Sequence, residues 1–136
     1  MKMPKWCDEG ENYLLDVAFK QATSLPTNLY LGLFTNSAEP AEDANLAALT
    51  EPSGNGYARV AIACGGDWTL TNDYITAAQK TFSCSGGNWG NVYGYFIGTV
   101  LTGTAGKLLA VELFSDGPYN VLDGGSVKVT AKLTCA

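Results

Sequence analysis

The chain has no histidine, and Arg59 is the single arginine among its eight cations. Without histidine, the usual neutral-pH base and the commonest metal ligand are missing, and Ser–His and Cys–His nucleophilic systems are excluded. Thirteen carboxylates outnumber the cations and give a formal net charge of −5. Phosphate recognition depends on Lys and Arg, so there is no electrostatic footprint for nucleic acid. No apolar run approaches the roughly 20 residues of a membrane span, so no membrane partner is expected. The opening Met1-Lys2-Met3-Pro4-Lys5-Trp6 meets Asp8, Glu9 and Glu11 before any apolar run. That order lacks the features of a signal peptide and predicts a chain made and folded in a cytoplasm.

Other chemistry is missing as well. Cys7, Cys64, Cys84 and Cys135 are widely spaced with no C-x-x-C pair, so the local spacing of a zinc site is absent. Reducing synthesis disfavours disulfides, and the four thiols read as small buried hydrophobes. Gly103-Thr104-Ala105-Gly106-Lys107 leads into a strand pattern, whereas a phosphate loop needs a helix N-terminus behind it. The EF-hand pattern is absent, and Glu39, Glu42 and Asp43 offer only an irregular cation site. A paired-carboxylate hydrolase needs one acid with a raised pKa. The available acids sit in loops or at a helix start. The chain is therefore expected to be no enzyme and to need no cofactor or metal.

What is present is a β-rich pattern behind one helix. Asp8-Glu9-Gly10-Glu11 has the form of a capping box, and Leu14, Leu15, Ala18, Phe19 and Ala22 recur at spacings of three and four. A helix over about residues 9–22 follows, ended before Pro26. Asn28 to Thr35 is apolar on both faces, which predicts a central strand covered on both sides. Residues 36–56 form a long loop rich in Pro and acids, with a helical turn at Leu46-Ala47-Ala48-Leu49; its length marks it as functional or mobile. Further strands are predicted over residues 57–63, 68–71, 80–84, 92–100, 107–114 and 126–135. In the last, Val127, Val129, Ala131, Leu133 and Cys135 point inward, and Lys128 and Lys132 guard the solvent face. Glycine-rich turns separate these runs. The fold class is all-β: an antiparallel β-sandwich or jelly-roll-like barrel with one short N-terminal helix. An arm over residues 1–8 precedes a single domain over 9–136.

Aromatic residues offer a candidate surface. Tyr93 and Tyr95 share one strand face, opposite Phe96, so one of the two sets must face away from this sheet's core or be covered by something else. With Trp89 and Trp68 they could line a sugar-binding face, although bulky aromatics usually fill cores.

Leu29-Tyr30-Leu31-Gly32-Leu33-Phe34-Thr35, an acidic Pro-containing loop and Gly56-Tyr57-Ala58-Arg59 together resemble a family of small tailed-phage virion proteins. Asn88-Trp89-Gly90-Asn91-Val92, Phe96-Ile97-Gly98 and Gly106-Lys107-Leu108-Leu109 follow the same pattern in order. The resemblance implies structural roles for Tyr57 and Arg59, the latter pairing with a loop carboxylate. It also implies a bacteriophage virion structural protein made in the host bacterial cytoplasm. The expected role is a capsid cement or decoration protein on the head surface, binding the major capsid protein and self-associating as a dimer or trimer. The alternative is a tail or fibre component that binds a host surface glycan. Candidate partner contacts are Lys2, Lys5 and Trp6 in the arm, Pro40, Leu46 and Leu49 in the loop, and Tyr93 and Tyr95 on the aromatic strand.

Overall fold

The computed structural model describes residues 5–134. Lys2 and Cys135 lie outside that range. Among the described residues no helix is long and apolar enough to cross a membrane.

The architecture is all-β and antiparallel, with no closed barrel among the described residues. Five strands form the largest sheet: β1 (Lys5–Trp6), β2 (Asn28–Phe34), β3 (Val60–Ala63), β8 (Gly94–Gly98) and β9 (Leu108–Leu113), in the order β1-β9-β8-β2-β3. Strand β2 is therefore an interior strand between β8 and β3, in keeping with its two apolar faces. Three smaller sheets pair β10 (Tyr119–Val121) with β7 (Gly90–Val92), β11 (Ser126–Val129) with β6 (Lys80–Ser83), and β12 (Lys132–Thr134) with β5 (Tyr74–Ala77) and β4 (Trp68–Thr71).

Side-chain alternation sorts the core onto two faces of the large sheet. Leu31, Leu33, Ile62, Tyr95, Ile97 and Ala110 pack on one face against Phe82, Val92, Val121, Val127, Val129 and Leu133 from the small sheets. On the other face Phe96, Leu108 and Val111 are covered by Cys7 and Leu46. Gly32 makes this second layer possible. A Cβ there would lie 2.3 Å from the Phe96 ring, so only glycine lets that ring lie flat on the strand.

The predicted last strand is two strands. Its inward set holds, since Val127, Val129, Ala131 and Leu133 are all buried. However, Thr130 and Ala131 break the ladder, and the chain passes from β6 to β5 as its partner. The predicted strand over residues 92–100 is likewise divided at Tyr93 into β7 and β8, which belong to different sheets. Strand β5 was not expected; Asn72, at φ 52°, makes the tight turn joining it to β4.

The helix departs most from expectation. α1 runs from Asp8 to Leu15 and continues as a π-helical turn, Asp16–Lys20, closed by Gln21 at φ 58°. Cys7 is the N-cap residue, and no side chain caps the helix. The Asp8 backbone N–H donates instead to Glu42 O at 2.9 Å. The face turned to the sheet is chosen by Gly10, not by the apolar stripe. Gly10 is the one buried residue of α1, and a Cβ on it would stand 2.2 Å from Leu109 O. Helix and β9 backbones meet there at a distance only glycine permits. The stripe consequently faces solvent.

Candidate functional site

The long loop is a cover for the second core face. Leu46 starts a 3₁₀ turn (Leu46–Ala48) and is buried against Phe96, with Ala44 and Leu49 packed beside it. Asn45 accepts from the Ala47 N–H at 3.0 Å and caps the turn. Asn36 clamps the loop at its base, donating to Ala48 O at 3.1 Å and accepting from Thr50 N–H at 2.8 Å. Pro40 is buried and Leu49 half-buried. Pro40 and Leu46 therefore face the chain's own interior.

Lys5 and Trp6 are also tied down. They form the edge strand β1 on β9, in register with Val111 and Ala110. Lys5 Nζ donates to Pro40 O at 2.5 Å and lies 3.4 Å from Glu39. Trp6 Nε1 donates to Thr134 O at 3.0 Å.

Glu51 joins the two residues that the sequence marks as structural. Its carboxylate accepts from Arg59 Nε at 3.0 Å, Arg59 Nη2 at 2.7 Å and the Tyr57 hydroxyl at 2.6 Å. Arg59 also donates to Val100 O and Gly103 O, both at 2.9 Å, and lies 5.2 Å over the Phe96 ring. Tyr57 accepts from the Leu33 N–H at 3.0 Å. Burial and the Glu51 hydrogen bond push the Tyr57 phenol well above its ordinary range. Arginine donors and carbonyl acceptors are thus matched within the chain.

The aromatic residues are spent internally too. Tyr95 is 4% exposed; its hydroxyl donates to Glu112 and accepts from the Lys132 N–H at 3.3 Å. Tyr93 beside it is half-buried. Trp89 stands edge-on to Tyr57 at 5.6 Å and donates to Gly54 O and Asn55 O at 3.2 and 3.1 Å. Burial raises the pKa of Glu112. The thiols are free at Cys7, Cys64 and Cys84: Cys7 and Cys84 are buried and Cys64 is half-buried. Burial pushes the Cys7 thiol up to about 11.

The N-terminal helical flank is open, and Leu70, Leu101 and Leu122 are exposed singly elsewhere. From Leu14 to Leu25 no residue is buried. Leu14 is 42% exposed, Leu15 58%, Phe19 81% and Leu25 80%. Isolated helices this short are marginal in water, and this one gains little packing beyond Gly10 and the half-buried Tyr13. On the same flank the carboxylates of Asp8, Glu11 and Glu42 lie within 4.8 Å of one another. The loop thus brings Glu42 to the helix, not to Glu39 or Asp43. The ion pairs among the described residues are Lys5–Glu39, Arg59–Glu51, Lys80–Asp67 and Lys107–Glu9, so neither these three acids nor Lys20 takes part in one. The periodicity showed this stripe without saying what it faces. A glycine inside the helix was the available sign that another face docks.

The described residues thus form an all-β domain whose N-terminal helical flank exposes large apolar side chains. Its family follows from comparison. Residues 5–134 match the family of the podophage GP4 fiber I protein gp80. The chain belongs to that family and is a phage virion structural protein. No curated protein matches it.

Proposed function

We propose that this chain is a non-enzymatic structural subunit of a podophage tail fibre, held to neighbouring virion proteins through its exposed helical flank. The observation that carries this reading is the family match, which spans nearly the whole chain and whose description names a fibre protein. It favours the tail over the capsid surface that the sequence resemblance first suggested. The exposed Leu15 and Phe19 supply a contact surface of the kind subunits use. A glycan-reading role has less support, because Trp89 and Tyr95 direct their donors into the chain itself.

Two measurements on purified virions test the assignment: gold labelling with antibodies to this chain, and its copy number against the major shell protein. Label on the tail with far fewer copies than the shell protein is the expected result. Label over the head with copies matching the shell protein overturns it and restores the cement role.

A further inference from the structure

We propose that the exposed face of α1 and the following π-helical turn is a two-fold interface, covered by the same face of a second copy of this chain packed antiparallel to it. The inference is independent of where in the particle the chain resides.

The face is ordered along its length. Asp8, Glu11 and Leu15 succeed one another at spacings of three and four, which places them along one side of α1, and Phe19 follows in the π-helical turn. The carboxylates, including Glu42, occupy its beginning, Leu15 its middle, and Phe19 and Lys20 its end. Leu14 widens the apolar part, and all three large apolar side chains are exposed.

That order is complementary to itself when reversed. Glu11 precedes Leu15 by about 6 Å along the axis, taking roughly 1.5 Å per residue of α-helix, and Lys20 ends the π-helical turn on the other side of Leu15. An antiparallel pair centred on Leu15 sets each Lys20 beside the other copy's Asp8–Glu11–Glu42 cluster. The same operation stacks Leu15 on Leu15 and lays Phe19 across the Leu15–Glu11 stretch of its partner. Charge is thereby supplied to three acids and a lysine that form no ion pair among the described residues. Antiparallel helix dipoles favour the same arrangement. A parallel pairing would set one acidic cluster on the other. Two-fold symmetry is also the commonest closed arrangement for identical chains, because one self-complementary patch serves both partners.

Sedimentation velocity on the full chain, with Phe19→Ser, Lys20→Glu, Glu11→Lys and the Glu11→Lys/Lys20→Glu double variant, tests this. None of these side chains is buried, so circular dichroism should show unchanged folds. The expected result is a wild-type dimer at about 100 μM, with dissociation at least roughly tenfold easier for each single variant. The double variant should recover most of the wild-type association, since it reverses both ends of the pair. A wild-type monomer at that concentration overturns the proposal and leaves the face to a different virion protein. A trimer, or a dimer indifferent to Phe19→Ser, overturns it too. Failure of the double variant to recover overturns the antiparallel register.

Discussion

Arg59 and Glu51 meet through two hydrogen bonds, Nε to Oε1 at 3.0 Å and Nη2 to Oε2 at 2.7 Å, with the arginine 7% exposed. The pair locks the base of the long loop to the strand that enters the sheet, and the two carbonyls of the 100–103 turn complete the arginine's shell. Replacing Arg59 by alanine leaves a partly buried carboxylate and two carbonyls without their donors. Breaking such a pair costs about 3–5 kcal/mol. Thermal unfolding should report a fall of roughly 10 °C or more for a domain of this size. Glu51→Gln, which keeps an acceptor but loses the charge, should fall between that variant and wild type. A wild-type melting temperature in Arg59→Ala would remove the pair from the stability of the fold.

Gly10→Ala should destabilise the protein despite alanine's better helix propensity. The propensity gain is at most about 1 kcal/mol. Against it, the new methyl would fall 2.2 Å from Leu109 O, a backbone atom that cannot rotate aside. Overpacking of this kind typically costs about 1–3 kcal/mol. The helix must lift off β9, so hydrogen exchange should quicken at the Cys7 N–H, which donates to Leu109 O at 2.9 Å. Unchanged protection there would mean that the helix is not seated by Gly10.

Deleting Ala41 to Leu49 is expected to damage the fold and not merely binding. The deletion uncovers Phe96, Leu108 and Val111, which are fully buried under Leu46. Leu46→Ala is the gentler form of the same test, and loss of a buried leucine side chain costs about 2–5 kcal/mol. Urea titration of Leu46→Ala measures it. A change under about 1 kcal/mol would mean that the loop is dispensable to the core.

The loop also shows where sequence reasoning stops. Its length and its prolines, acids and glycines are the features of an exposed functional segment, and the helical turn at Leu46 was visible in them. Its destination was not, because covering a sheet face is a relation between segments far apart in sequence. The alternation of Tyr95 against Phe96 left one face either turned away from the core or covered by something else, and Leu46 with Cys7 covers it. The interior place of β2 and the inward set from Val127 to Leu133 were legible from periodicity, and the Arg59–carboxylate pair from the family resemblance. The helix stripe was legible, but periodicity identifies a face without saying what lies opposite. Steric fit at Gly10 decided that question, and the apolar residues were left for solvent or for a partner.

Glu112 should make stability depend on pH in a direction opposite to most paired acids. It is half-buried beside Tyr95, and burial raises its pKa, outweighing the Tyr95 hydrogen bond and the nearby Lys132 charge. An acid with a raised folded-state pKa binds more protons when folded than when unfolded. Its contribution to stability therefore falls as pH rises through the interval between the ordinary glutamate value and the raised one. Above that interval the ionised carboxylate carries the full desolvation penalty; below it both states are protonated and the penalty is gone. Glu112→Gln carries no such penalty at any pH and keeps an oxygen to accept from Tyr95. Relative to this variant, wild type should be less stable at pH 7 and gain on it as pH falls through and below the raised value. Urea unfolding of both proteins between pH 7 and about pH 3 measures the difference, which isolates this one group from the acid titration of the rest. A gap that stays constant over that range would show that Glu112 has the same proton affinity in the folded and unfolded chains. A gap that widens against wild type towards low pH would mean that the Tyr95 bond and Lys132 prevail over burial.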